Sequence, residues 1–244
     1  MTSQLVTLFL TSFLAGTAVF VIPNFDQKRF KSVLSFSGAY LFSITVIHIL
    51  PELFHEAVDI KLVGIYVLAG YFFQLILEYF SSGVEHGHMH FEQDQKTHIP
   101  YTIILSLCLH SFLEGTLLTH PSESHGAEDS SNILYGLVLH KIPEAFALMS
   151  VIVYRLGKKG FALGLLLFYA CCSPLGLMMS NYLYNNNIVP KDIFTFIFAL
   201  VAGNFLYIST TIFFESSPNH KFKARKLLVS LLGAALAVIV EYVL

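Results

Sequence analysis

The sequence predicts an all-α membrane protein with eight transmembrane helices, and three observations support this fold class. Of the 244 residues, 55% are hydrophobic and only 12% are charged, whereas soluble domains contain about 25% charged residues. The mean hydropathy is +0.67. Apolar runs of the length that crosses a bilayer recur along the whole chain, and basic residues collect between alternate pairs of runs.

The apolar runs define the spans in order. They cover residues 3–22, 32–54, 62–81, 99–119, 132–154, 161–184, 192–214 and 226–244. No basic residue precedes the first run, so we interpret it as a retained helix and not as a signal peptide. Because the linkers are short, we expect residues 1–244 to form a single transmembrane domain.

The basic residues predict the orientation of the spans. Of the 14 lysine and arginine residues, all but Lys61, Lys141 and Lys191 lie in the odd-numbered loops. Translocated loops are depleted of basic residues. The odd loops are therefore expected in the cytoplasm, with both termini extracytoplasmic.

Residues 38–45 of the second span and 203–210 of the seventh have similar sequences. The two spans are predicted to run in opposite directions, as in the inverted repeats of many transporters. This similarity predicts a 3+2+3 arrangement, in which spans one to three and six to eight are the repeats. The match is short, so chance is the alternative.

Ionisable residues interrupt the fourth and fifth spans. His110 and Glu114 lie in one, and His140, Lys141 and Glu144 in the other. A charge at the bilayer centre costs about 2.5–3.5 kcal/mol on insertion scales. Residues four apart share a helix face, so each His–Glu pair can reach one ion. Two imidazoles and two carboxylates suit zinc. The alternative is a pair of hydrogen-bonded packing clusters.

Three further features surround this predicted site. Pro143 is expected to break the fifth helix and to free the carbonyl of Leu139. His48 and Glu52 repeat the spacing and are predicted to line an entrance pathway, with a polar helix end as the alternative. A His-rich cytosolic loop over residues 82–98 is a candidate for metal binding, with a disordered polar loop as the alternative. Its candidate ligands are His86, His88 and His90.

Several segments of the chain resemble the Zrt/Irt-like (ZIP) metal transporters. The sequence from His110 to Gly115 resembles the H-[NS]-x-x-[DE]-G signature of their fourth span. His140-Lys-Ile-Pro-Glu144 is similar to the H-x-x-P-E signature of the fifth. His48-Ile-Leu-Pro-Glu52 resembles an HLLPE segment in the second span, and residues 202–207 are similar to an AGxFLY stretch in the seventh.

The resemblance implies alternating-access transport of Zn²⁺ toward the cytosol, with Fe²⁺, Mn²⁺ or Cd²⁺ as other substrates. Some relatives hold two adjacent metals between the fourth and fifth spans, often using Asn and an acid at the positions of Ser111 and Lys141. In such relatives an acid of the sixth span can complete the second metal site, but no acid lies between Glu144 and Asp192 in this chain. We therefore expect a single ion, with the ammonium of Lys141 at the second-site position and paired with Glu114 or Glu144. The alternative is that the Lys141 side chain extends away from the site toward the membrane surface.

Other classes of protein are less consistent with the sequence. The net charge of −2 gives no basic face for nucleic acid. An intramembrane metal-dependent hydrolase is one alternative, but the chain lacks the HExxH and intramembrane HxxxH motifs of such enzymes, so we expect no enzymatic activity. A metal-sensing membrane protein without transport is the other alternative. The expected location is the plasma membrane, the expected partners are divalent metal ions and the lipid bilayer, and a homodimer is compatible with the sequence.

Overall fold

The computed structural model of the protein describes residues 1–22, 27–57, 59–81, 83–84, 100–119, 129–215 and 224–243. The ordered elements of this part of the chain are all helical. In chain order they are α1 (Thr2–Thr17), α2 (Gln27–Ile44), α3 (Leu50–Glu56), α4 (Ile60–Ser81), α5 (Tyr101–Thr116), α6 (Asp129–Leu156), α7 (Lys159–Asn185), α8 (Lys191–Glu215) and α9 (Ala224–Val243). A π-helical turn, Thr45–Ile49, joins α2 to α3.

Seven helical segments of the described chain are long and apolar enough to cross a membrane. They are Thr2–Phe20, Arg29–His55, Ile60–Ser81, Tyr101–Thr119, Ser131–Leu156, Lys159–Asn185 and Asp192–Phe213. Their ends lie within a few residues of the first seven predicted spans, so α5 and α6 correspond to the fourth and fifth spans. The eighth predicted span coincides with the 20-residue helix α9, and the total of eight stays a prediction.

The helices pack as two groups. The first helix group consists of α1, α5, α6 and α7, in which α1 contacts α6 and α7, and α5 packs along α7. The second helix group consists of α2, α3, α4, α8 and α9, in which α4 packs along α8 and α2 along α9. The groups meet chiefly where α2 contacts α6 and where α4 contacts α5. The helices that carry the ionisable residues thus face this boundary.

Glycines let the paired helices approach to backbone contact. A Cβ atom on Gly115 of α5 would overlap the carbonyl oxygen of Ser173 in α7, and one on Gly176 of α7 would overlap the carbonyl oxygen of Phe112. Small residues at such crossings are typical of membrane helices, which gain stability from close van der Waals packing. Gly70 of α4 and Gly203 of α8 form the same reciprocal arrangement in the second helix group.

The AGxFLY-like segment has a packing role in this second crossing. Beside Gly203, the Asn204 side chain is fully buried. With its amide nitrogen turned toward α4, Asn204 donates hydrogen bonds to the carbonyl oxygens of Gly70 at 2.7 Å and Leu200 at 3.0 Å. A buried amide needs such partners. The hydrogen bond to Gly70 joins this segment of α8 to α4.

Candidate metal centre

The two His-x-x-x-Glu pairs meet inside the helix bundle. His110 and Glu114 of α5 and His140 and Glu144 of α6 have no exposed surface. Each contributes one ligand atom to a cluster in which these atoms lie within 4.8 Å of one another. Each pair occupies a single helix face, and the side chains of these two faces meet between α5 and α6.

His110 is oriented by a residue from the second helix group. Gln74 of α4 places its Oε1 atom 3.1 Å from Nδ1 of His110, so Nδ1 carries a proton and donates it to this oxygen. In the neutral form of His110, the lone pair of Nε2 then faces Oε1 of Glu114 at 3.1 Å. Two electron-rich atoms at this distance repel each other unless a proton or a metal ion lies between them, so they are placed as a ligand pair for a metal ion that displaces the proton.

His140 completes the nitrogen donors. Its ring meets that of His110 edge to face, with centroids 5.9 Å apart, and its Nε2 atom lies 3.8 Å from Oε1 of Glu114. Among the described residues, neither ring nitrogen of His140 has a hydrogen-bond partner, and the same holds for Oε1 of Glu144. Buried polar atoms are normally paired, so these atoms are suited to an ion.

Lys141 lies in the same cluster and is fully buried. Its Nζ atom forms an ion pair with Oε2 of Glu114, a second with Oε2 of Glu144 at 3.2 Å, and a hydrogen bond to Oγ of Ser111 at 2.8 Å. Ser173 of α7 bonds to the same hydroxyl at 2.9 Å. The ammonium therefore lies against both carboxylates of the cluster and does not extend toward the membrane surface.

Pro143 does not break the fifth helix. The prediction of a helix break is wrong, because α6 runs without interruption from Asp129 to Leu156 through this residue. A proline in a membrane helix removes one backbone hydrogen bond, but neighbouring helices and side chains can compensate. Pro143 therefore lacks a backbone donor, but the helix continues on both sides of it.

The remaining predicted site residues lie apart from this cluster. His48 lies in the π-helical turn, where its Nε2 atom is 3.6 Å from Oε2 of Glu52. These two residues are not members of the four-residue cluster. His86, His88 and His90 fall outside the residues that the structure describes.

Sequence reasoning missed four polar residues, three around the buried cluster and one beside His48. Gln74, Ser173 and Tyr169 surround the buried cluster, and the ring of Tyr169 lies 5.5 Å from Nζ of Lys141. Glu241 of α9 contacts His48. A polar residue in an otherwise apolar span is the signal that could have found Gln74 and Glu241, since such residues are rare in lipid.

Comparison with known proteins identifies the family. The sequence model of the ZIP zinc transporters matches residues 85–241, which include both His-x-x-x-Glu pairs. The HLLPE-like segment at residues 48–52 lies before the matched range. A search of curated proteins finds no match to the chain. Because the family match covers more than half of the sequence and includes the buried cluster, the chain belongs to the ZIP zinc transporter family.

Proposed function

We propose that this protein carries zinc ions toward the cytosol through the cluster of His110, Glu114, His140 and Glu144. Its family transports divalent metal ions, and the chain is a multi-pass integral membrane protein. The observation that carries the proposal is the convergence of four buried ligand atoms within 4.8 Å. Two nitrogens and two carboxylate oxygens form a donor set that zinc accepts, and Fe²⁺, Mn²⁺ and Cd²⁺ are the other candidates.

Alternating access is the proposed mechanism, and the placement of the ligands supports it. All four ligands belong to the first helix group, whereas Gln74, which orients His110, belongs to the second. Movement of one group against the other would carry the ligands together and would separate Gln74 from His110. The loss of this hydrogen bond would loosen one ligand and favour release of the ion.

The proposed topology has eight spans, two extracytoplasmic termini and an inverted repeat of spans one to three and six to eight. This repeat makes the third span equivalent to the eighth, and the seventh equivalent to the second. The tight pair α4–α8, which contains the third and seventh spans, is therefore equivalent to the tight pair α9–α2, which contains the eighth and second. This equivalence supports the repeat. In this topology His48 and Glu52 lie on the outer side, the loop over residues 82–98 receives the ion in the cytosol, and the plasma membrane is the proposed location.

The centre is proposed to hold one ion because Lys141 occupies the second-site position. Its ammonium contacts Glu114, Glu144 and Ser111, which supports this proposal. Anomalous scattering from zinc-soaked crystals should show one peak between α5 and α6. Two fully occupied peaks about 4 Å apart, the spacing of two-metal sites, would contradict it.

Uptake by proteoliposomes tests the function. Purified protein should accumulate zinc, and competition by Fe²⁺, Mn²⁺ and Cd²⁺ should rank the substrates. Substitution of Glu114→Ala or Glu144→Ala should abolish uptake, because each removes a ligand and one partner of Lys141. Asp192→Ala, which removes an exposed acid at the start of α8, is the matched control and should transport normally. Normal uptake by both glutamate variants would refute the site, and no uptake by intact protein would refute transport.

A further inference from the structure

A second cluster of ligand-type side chains lies at the junction of α3, α6 and α9. His48 directs one ring nitrogen to each of two carboxylates. Its Nδ1 atom lies 2.9 Å from Oε1 of Glu241, and its Nε2 atom lies 3.6 Å from Oε2 of Glu52. The imidazole therefore stands between an acid that is one turn away and an acid contributed by the last helix.

The two distances assign different roles to the two nitrogens. The 2.9 Å contact has the length of a hydrogen bond. Nδ1 of His48 therefore carries a proton and donates this hydrogen bond to Oε1 of Glu241. In the neutral form of His48, the lone pair of Nε2 then faces the carboxylate of Glu52. This Nε2 atom is buried and makes no hydrogen bond with any residue that the structure describes.

The separation of Nε2 from Glu52 suits two ligands of one cation. Zinc–nitrogen and zinc–oxygen bonds of about 2.1 Å place neighbouring ligand atoms of a tetrahedral site about 3.4 Å apart, close to the observed 3.6 Å. A lone pair and a carboxylate oxygen at this distance repel each other unless a proton or a metal ion lies between them, so a metal ion that displaces the proton would find both ligand atoms in place. The π-helical turn that carries His48 is also a kind of element found frequently at functional sites.

Glu241 is itself held in place. Asn132 at the start of α6 donates from Nδ2 to Oε2 of Glu241 at 3.3 Å, which leaves Oε1 for His48. A carboxylate that accepts the second ring proton of a histidine fixes its tautomer and strengthens it as a metal ligand. Since Asn132 lies in the first helix group and Glu241 in the second, this chain of contacts crosses the group boundary.

The second cluster keeps some exposed surface, in contrast to the buried one. The side chains of His48, Glu52 and Glu241 retain 7%, 10% and 16% of their exposure, whereas the side chains of His110 and His140 retain none. A partly exposed site with two protein ligands suits a weakly bound ion in transit. We propose that His48 and Glu52 form an outer divalent-cation site, in which Glu241 is a positioning residue that orients His48. The proposal rests on the proposed transport of such ions.

Zinc uptake kinetics test the positioning role. Glu241→Ala should raise the KM for zinc about tenfold or more, the usual effect of removing such a partner, and should leave the maximal rate unchanged because the buried cluster is intact. Glu241→Gln retains an acceptor and should remain within about threefold of the unaltered KM. Asp192→Ala controls for loss of one surface charge. Equal KM values for Glu241→Ala and Asp192→Ala would overturn the proposal.

A binding measurement separates this proposal from transport itself. In purified full-length protein carrying Glu114→Gln and His140→Ala, zinc titration should retain a weak site that His48→Ala abolishes and Glu241→Ala weakens about tenfold. This result would support the outer site even if uptake failed. A residual site unaffected by both substitutions, in protein that elutes as a single species on gel filtration, would overturn it.

Discussion

Lys141 sets the charge of the proposed metal centre. Its ammonium is buried between Glu114 and Glu144 and is also bonded to Ser111. Removal of one partner from a buried ion pair costs about 3–5 kcal/mol, because the remaining charge stays out of water without compensation. A divalent cation could provide that compensation, so stability of the site should depend on either the lysine or the metal.

Substitution of Lys141→Met should therefore make the stability of the protein dependent on zinc. In a chelating buffer the variant should unfold at a lower temperature than the unaltered protein, and zinc should recover most of the difference. Thermal unfolding in detergent with and without zinc measures this. Lys61→Met, which removes an exposed lysine, is the control. The same zinc response in both variants would contradict the assigned role of Lys141.

Residue spacing explains what could be predicted about the site. His110 with Glu114 and His140 with Glu144 are each one helical turn apart, so their shared face follows from local geometry. Contacts such as Gln74 to His110 and Glu241 to His48 depend on which helices become neighbours. Periodicity within one helix carries no information about that choice, so these partners required the structure.

At the scale of the helices, the crossing of α5 and α7 positions the buried cluster. Gly115 and Gly176 allow the two backbones to touch beside Glu114 and Ser173. An added methyl group at this crossing must push the helices apart, since it would meet backbone and not a flexible side chain. Overpacking of this kind typically costs about 1–3 kcal/mol.

Two alanine substitutions in α7 should consequently have opposite effects. Gly176→Ala should lower the unfolding temperature and reduce zinc uptake, because its Cβ would overlap the carbonyl oxygen of Phe112. At Gly164 of the same helix a Cβ meets nothing within 4 Å. Gly164→Ala should stabilise the helix by about 0.5–1 kcal/mol. Thermal unfolding compares the two, and equal shifts would contradict the packing argument.

The predicted break at Pro143 was wrong because it considered local chemistry alone. Pro143 lacks an N–H group, which in isolation favours a helix break. In the structure, α6 is packed against α1, α2 and α7, and it remains continuous. Tertiary packing overrides the local preference here, a factor that the sequence of α6 alone does not contain.

For the molecule as a whole, hydropathy predicts the spans well because the bilayer imposes one length on each of them. The ends of Ile60–Ser81 and Asp192–Phe213 follow directly from where apolar residues stop. The division into two helix groups was not predictable in this way. It depends on helix crossings such as the one at Gly70 and Gly203. Nothing in the sequence distinguishes these two glycines from glycines that make no helix contact.

Cysteine labelling tests the proposed orientation. Lys158 precedes α7, Ile188 follows it, and both are exposed. In a background without Cys108, Cys171 and Cys172, Ile188→Cys should react with an impermeant maleimide in intact cells, and Lys158→Cys only after permeabilisation. The reverse pattern would invert the topology, and labelling of both in intact cells would contradict a span between them.

The resident ammonium of Lys141 has a consequence for how membrane voltage acts on the proposed cycle. With neutral imidazoles, the unloaded cluster of two carboxylates and one ammonium carries a single negative charge, and one bound divalent ion makes it singly positive. A potential that is negative inside favours inward passage of the positive form and outward return of the negative form, each by about 2.3 kcal/mol per 100 mV. Both halves of the cycle would then draw on the same voltage, and transport would be electrogenic without a counter-transported ion.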